Sequence, residues 1–134
     1  MIKSTEFEFG SLENKRFNTL AKYCLISATA IIIYAIANIS FLVNVFLSGK
    51  AALIIRTLDD LFVTIAALFA AYQLGQAAKS FRKIVNTQGN DISLLSLSSE
   101  QLRYVFGSLA VMLIALAVRF ILDYPALMSW IKAY

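Results

Sequence analysis

Three long apolar runs, each ended by a small group of polar or charged residues, dominate the pattern along this chain. The first has 27 consecutive uncharged positions, residues 23–49, between Lys22 and Lys50. At about 1.5 Å of rise per residue, such a run is long enough to cross a hydrocarbon core of roughly 30 Å. Ser11 is suited to cap a helix that begins amphipathic at Leu12 and becomes wholly apolar after Lys22, so the first spanning helix is expected over 22–47. Ser48, Gly49 and Lys50 then supply a tight connection.

A second helix is expected over 51–85. Arg56, Asp59 and Asp60 interrupt its apolar start, after which residues 61–78 are free of charge for 18 positions. That run covers about 27 Å. If Lys79 marks one boundary, Asp60 falls near the other and is spared the several kcal/mol that a charge costs at the bilayer centre. The clearest break is 86–98, where Thr87, Gln88, Gly89, Asn90 and Asp91 are turn formers. Ser98 and Gln101 fit a capping box, which predicts a third helix over 99–122. Residues 123–134, with Tyr124, Trp130 and Tyr134, resemble an aromatic girdle at a water interface. The fold class expected is an all-α integral membrane protein, a bundle of three transmembrane helices in a single membrane domain, 1–134, whose segment 1–21 is cytoplasmic.

Orientation follows from the basic residues. Lys3, Lys15, Arg16, Lys22, Lys79, Arg82, Lys83 and Arg103 fall on one side of this scheme, and Lys50, Arg56, Arg119 and Lys132 on the other. The excess puts the N-terminus in the cytoplasm and the C-terminus outside, in what is expected to be a bacterial cytoplasmic membrane. Composition agrees: 60% of residues are hydrophobic and 15% charged, with a mean hydropathy of +0.74. The net charge of +4 speaks to topology and anionic headgroups rather than to nucleic acid, which is not expected as a partner.

Chemistry is bounded by what is missing. The chain has no histidine and one cysteine, Cys24, so within one chain there is no His-ligated haem, no thiolate cluster, no Ser-His or Cys-His activation and no intrachain disulfide. Neither a Walker loop nor a dinucleotide-binding glycine pattern occurs. No cofactor, no metal and no catalysis by this chain are expected. Asp123-Tyr124 resembles the Asp-Tyr pair near the quinone in membrane anchors of succinate dehydrogenase, as do length and span count. That resemblance covers two residues, lacks the haem-binding histidine, and assigns the chain to no family.

Five constellations remain. Antiparallel packing would bring Arg56, Asp59 and Asp60 toward Arg119 and Asp123, while Arg56 with Asp60 and Arg119 with Asp123 are also i,i+4 pairs within their own helices. On the first helix, Ser27, Ala30, Tyr34, Ala37, Asn38, Phe41, Asn44 and Ser48 form a small and polar stripe at 100° per residue. Asn38 and Asn44 would leave amides unpaired in lipid, so the stripe is expected to face another helix. Ala67, Ala71 and Gly75, at i, i+4, i+8, allow close backbone approach, either within the chain or between copies. Lys79, Arg82 and Lys83, with Trp130, are suited to lipid headgroups. Near the N-terminus, Phe7 and Phe9 alternate with Glu6 and Glu8; headgroup burial, packing under the cytoplasmic loop and addition to a partner's sheet edge are expected in that order.

The function expected is therefore non-catalytic: a small polytopic protein acting through assembly, as a homo-oligomer or as an accessory subunit of a membrane complex, with lipids and itself or other membrane subunits as partners. The alternative is an oligomeric ion channel or proton-conducting subunit whose outer vestibule uses Asp59, Asp60 and Asp123.

Overall fold

The computed structural model describes residues 9–49, 57–86 and 91–132, with side chains as far as Ile121. Three helices make up these residues: α1 (Ser11–Leu47), α2 (Leu58–Asn86) and α3 (Asp91–Lys132). All three are long and apolar enough to cross a membrane.

The first helix starts one residue earlier than expected. Gly10, in an extended conformation, is its N-cap, and Ser11 is already helical. The Gly10 carbonyl accepts from the Asn14 amide at 3.0 Å, and no side chain caps the end. At the other end α1 stops at Leu47, and Ser48 and Gly49 form a turn. Gly49 has φ +65°, the left-handed position that glycine fills at low cost just beyond a helix. Its amide donates to the Phe46 carbonyl at 3.2 Å.

The connection between the second and third helices differs more. Residues 91–98 were expected in a loop but are the first two turns of α3. Ser98 is not an N-cap: it is fully buried, and its hydroxyl donates back to the Leu94 carbonyl at 2.7 Å, a bond that serines make inside helices. Gln101 does not reach back to close a capping box; its Oε1 accepts from Ser80 Oγ of α2 at 3.2 Å. The backbone also stays helical beyond 122, through Pro125 to Lys132. A proline removes one donor from the ladder without obliging a helix to stop.

The second helix lies in the middle. It packs along both of its neighbours, whereas no Cα of α1 comes within 8 Å of one in α3. Both contacts are antiparallel. Phe17 stacks on Phe81 at 5.9 Å between centroids near one end of α1 and α2, and Asn38 reaches Thr64 toward the other. Between α2 and α3 the two ends are marked by Ser80 with Gln101 and by Asp60 with Arg119.

Small residues make this possible. Ala67, Ala70, Ala71, Ala77 and Ala78 of α2 are all buried, as are Ala21, Ala28 and Ala35 of α1, because helices without bulky side chains at the contact approach closely. A larger cluster fills one end, where Cys24, Leu74, Phe81, Ile84 and Val105 meet. Central placement is visible in burial. Over its most apolar 18-residue window α2 is 44% buried, against 11% for α1 and 6% for α3. The middle helix is also the least hydrophobic of the three, as expected of a helix whose neighbours stand in for lipid.

Candidate functional site

At the end of the molecule where α1 finishes and α2 begins, the polar groups join into one network. Asp59 and Asp60 occupy the first turn of α2. Arg119, reaching across from α3, donates through Nη1 to Oδ1 of Asp60 at 2.5 Å and lies with Nε 3.8 Å from Oδ2 of Asp59. The guanidinium therefore bonds across to the neighbouring helix.

The two carboxylates are unequal. The Asp60 side chain is 11% exposed, that of Asp59 33%, and that of Arg119 43%. Asp60 is the enclosed member, and Arg119 keeps a flank toward the surroundings. Oδ1 of Asp59 is buried without a hydrogen bond. Removal of the cationic neighbour would leave an enclosed carboxylate without its partner.

Asp60 also links to the other side of α2. Its backbone carbonyl accepts from Thr64 Oγ1 at 2.7 Å, and Thr64 Oγ1 in turn accepts from Asn38 Nδ2 of α1 at 3.3 Å. Asn38 donates as well to Tyr34 Oη at 3.2 Å. A chain of polar contacts thus runs from α1 through α2 to α3, linking two helices whose backbones stay apart. Threonine at 64 was not singled out in the sequence; in retrospect, a hydroxyl one turn after Asp60 in the otherwise apolar run 61–71 was the available signal.

The other residues of interest fall elsewhere. Arg56 lies outside the described residues, as do the side chains of Asp123 and Trp130. Asn44 is exposed, and no hydrogen bond joins its side chain to another described residue. With Ser27, Ala30, Tyr34, Ala37, Phe41 and Ser48, also exposed, it belongs to a row at alternating three- and four-residue spacing. Only Asn38, at the edge of the stripe, turns inward to α2.

Ala67 and Ala71 are covered by this chain itself, at 0% and 3% exposure. Gly75 is half-buried, and a methyl group built there would meet nothing within 4 Å. Lys79, Arg82 and Lys83 are exposed at the opposite end of α2.

Phe9 lies against α1 and the start of α3. Its ring lies 5.0 Å from that of Phe17, and its amide donates to Oδ2 of Asp91 at 2.8 Å. Asp91 is buried at the start of α3, with Oδ1 unbonded. Phe7 lies outside the described residues.

Arg119 with Asp59 and Asp60 can hold helix register or carry charge at the rim of an apolar layer. No group of three or more His, Cys, Asp or Glu gathers into a metal site among the described residues. No family model, curated protein or solved structure matches this chain.

Proposed function

We propose that this chain is an integral protein of a bacterial cytoplasmic membrane, with its N-terminus in the cytoplasm and its C-terminus outside, and that it acts without catalysis by assembling with further membrane helices. The observation that carries this reading is the set of uncharged polar side chains left without partners along the apolar lengths. Asn44 on α1 and Gln73 and Gln76 on α2 make no side-chain hydrogen bond to another described residue. Lipid tails can cover exposed apolar residues, but they cannot satisfy an amide.

Pairing of Asp59 and Asp60 with Arg119 favours assembly over conduction, since carboxylates engaged by a guanidinium are poor free ligands for a passing cation. The surface available for assembly is the outward row of α1, from Ser27 to Ser48, rather than Ala67 and Ala71, which the chain already buries.

Native mass spectrometry in mild detergent tests the proposal. Masses above that of one chain, either multiples or with companion subunits, are expected, and Asn44→Leu or Ala37→Phe is expected to shift the distribution toward the single chain. A wild-type protein that is monomeric and without companions both in detergent and after crosslinking in membranes would overturn the reading.

A further inference from the structure

Seven basic residues gather at the end of the molecule opposite Arg119. Lys15, Arg16 and Lys22 of α1, Lys79, Arg82 and Lys83 of α2, and Arg103 of α3 are all exposed. Contacts within the fold bring them to a common level. Stacking of Phe17 on Phe81 sets the adjacent Arg16 and Arg82 at one height. Gln101 bonded to Ser80 does the same for Arg103 and Lys79, and Ala21, sharing a buried cluster with Ala78 and Phe81, brings in Lys22.

Acidic residues do little to offset them. Glu13, Asp91 and Glu100 are the carboxylates on this side among the described residues; Asp91 is buried against the Phe9 amide, and Glu100 accepts from Tyr104. Lys15, Arg16, Lys22, Lys79, Arg82 and Arg103 make no ion pair with any described residue. Like charges massed at one level repel one another unless something outside the chain balances them.

The belt also stands where the apolar runs stop. Residues 23–49, 61–78 and 104–118 are all free of charge, and Lys22, Lys79 and Arg103 are the residues at which those runs end. Each helix therefore presents a cation at the plane where hydrocarbon would give way to headgroups. We propose that this belt is a docking surface for anionic phospholipid, with the lipid phosphates as its counter-charges. Lysine and arginine stems lie along the apolar surface while their heads reach outward, and each such residue near a bilayer surface contributes to attraction for anionic lipid.

The test uses the full chain in nanodiscs of phosphatidylcholine, with or without phosphatidylglycerol, and reads the lipids retained by native mass spectrometry together with the melting temperature. Preferential retention of phosphatidylglycerol, a higher melting temperature in its presence and weakening of both by added salt are expected. Lys22→Gln, Lys79→Gln and Arg103→Gln should each weaken retention about fivefold, whereas Lys79→Arg should not. Equal retention of the two lipids, or retention indifferent to salt, would overturn the proposal even if the glutamine variants fail to fold. Equal protection by free inorganic phosphate would overturn the assignment to lipid.

Discussion

Single residues at the Arg119 end work by closing charges and hydrogen bonds that the helices would otherwise leave open. Arg119→Gln removes the guanidinium from Asp59 and Asp60 and is expected to destabilise the fold by about 1–3 kcal/mol, since a hydrogen bond to a charged group is lost and an enclosed carboxylate is left behind. Thermal unfolding in detergent checks this, and Arg119→Gln combined with Asp60→Asn should recover part of the loss. Thr64→Val removes the hydroxyl between Asn38 and the Asp60 carbonyl and is expected to cost about 0.6 kcal/mol, the mean for such bonds between membrane helices. Sequence alone indicated that antiparallel packing would bring Asp59, Asp60 and Arg119 to one level. It left the choice between cross-helix and i,i+4 partners open, because both satisfy the same charge count. The cross-helix bond depends on the side on which α3 lies, which no local pattern encodes.

At the scale of elements, the apolar runs were legible and their ends were less so. A long apolar run has one economical structure in lipid, so the three helices follow from length and composition. Boundaries rest on weaker and ambiguous signals. Ser98 and Gln101 have the spacing of a capping box, yet Ser98 bonds back to Leu94 inside α3 and Gln101 turns to Ser80; the same two residue types serve both arrangements. Asp91, where α3 begins, had been read only as a turn former. Its replacement by alanine is expected to cost about 1 kcal/mol, through loss of a negative charge at the helix N-terminus and of the bond to Phe9, while Ser98→Ala should change stability by less. Hydrogen exchange over 91–98 would separate the two. Gly75 offers a further contrast. With open space around it, Gly75→Ala should raise the stability of the single chain by up to about 1 kcal/mol through helix propensity. A fall in oligomer mass instead would place Gly75 at a contact between chains.

The whole molecule is arranged so that α2 mediates between two helices whose backbones stay apart. Energetic effects should divide accordingly. Leu42 of α1 is buried apart from the cluster around Phe81, to which Val105 of α3 belongs, so Leu42→Ala and Val105→Ala trim separate packing clusters. Their combined destabilisation is expected to equal the sum of the singles within about 0.5 kcal/mol. A larger discrepancy in a thermal double-mutant cycle would mean that α2 shifts as one body when either neighbour is trimmed. This arrangement was outside the reach of the sequence reading, which supplied three apolar rods without saying which of them stands in the middle. The lower hydropathy and alanine content of the second run were the available hints, since a helix covered by protein needs less hydrophobicity than one facing lipid.

The ion pair between α2 and α3 also has a bearing on biogenesis. During synthesis Asp59 and Asp60 emerge well before Arg119, so in the proposed membrane setting α2 would enter the bilayer with these carboxylates not yet joined to Arg119, a mismatch that ends only when α3 follows. A chain halted ahead of residue 119 would carry that mismatch permanently, giving quality-control proteases a chemical mark of an unfinished product.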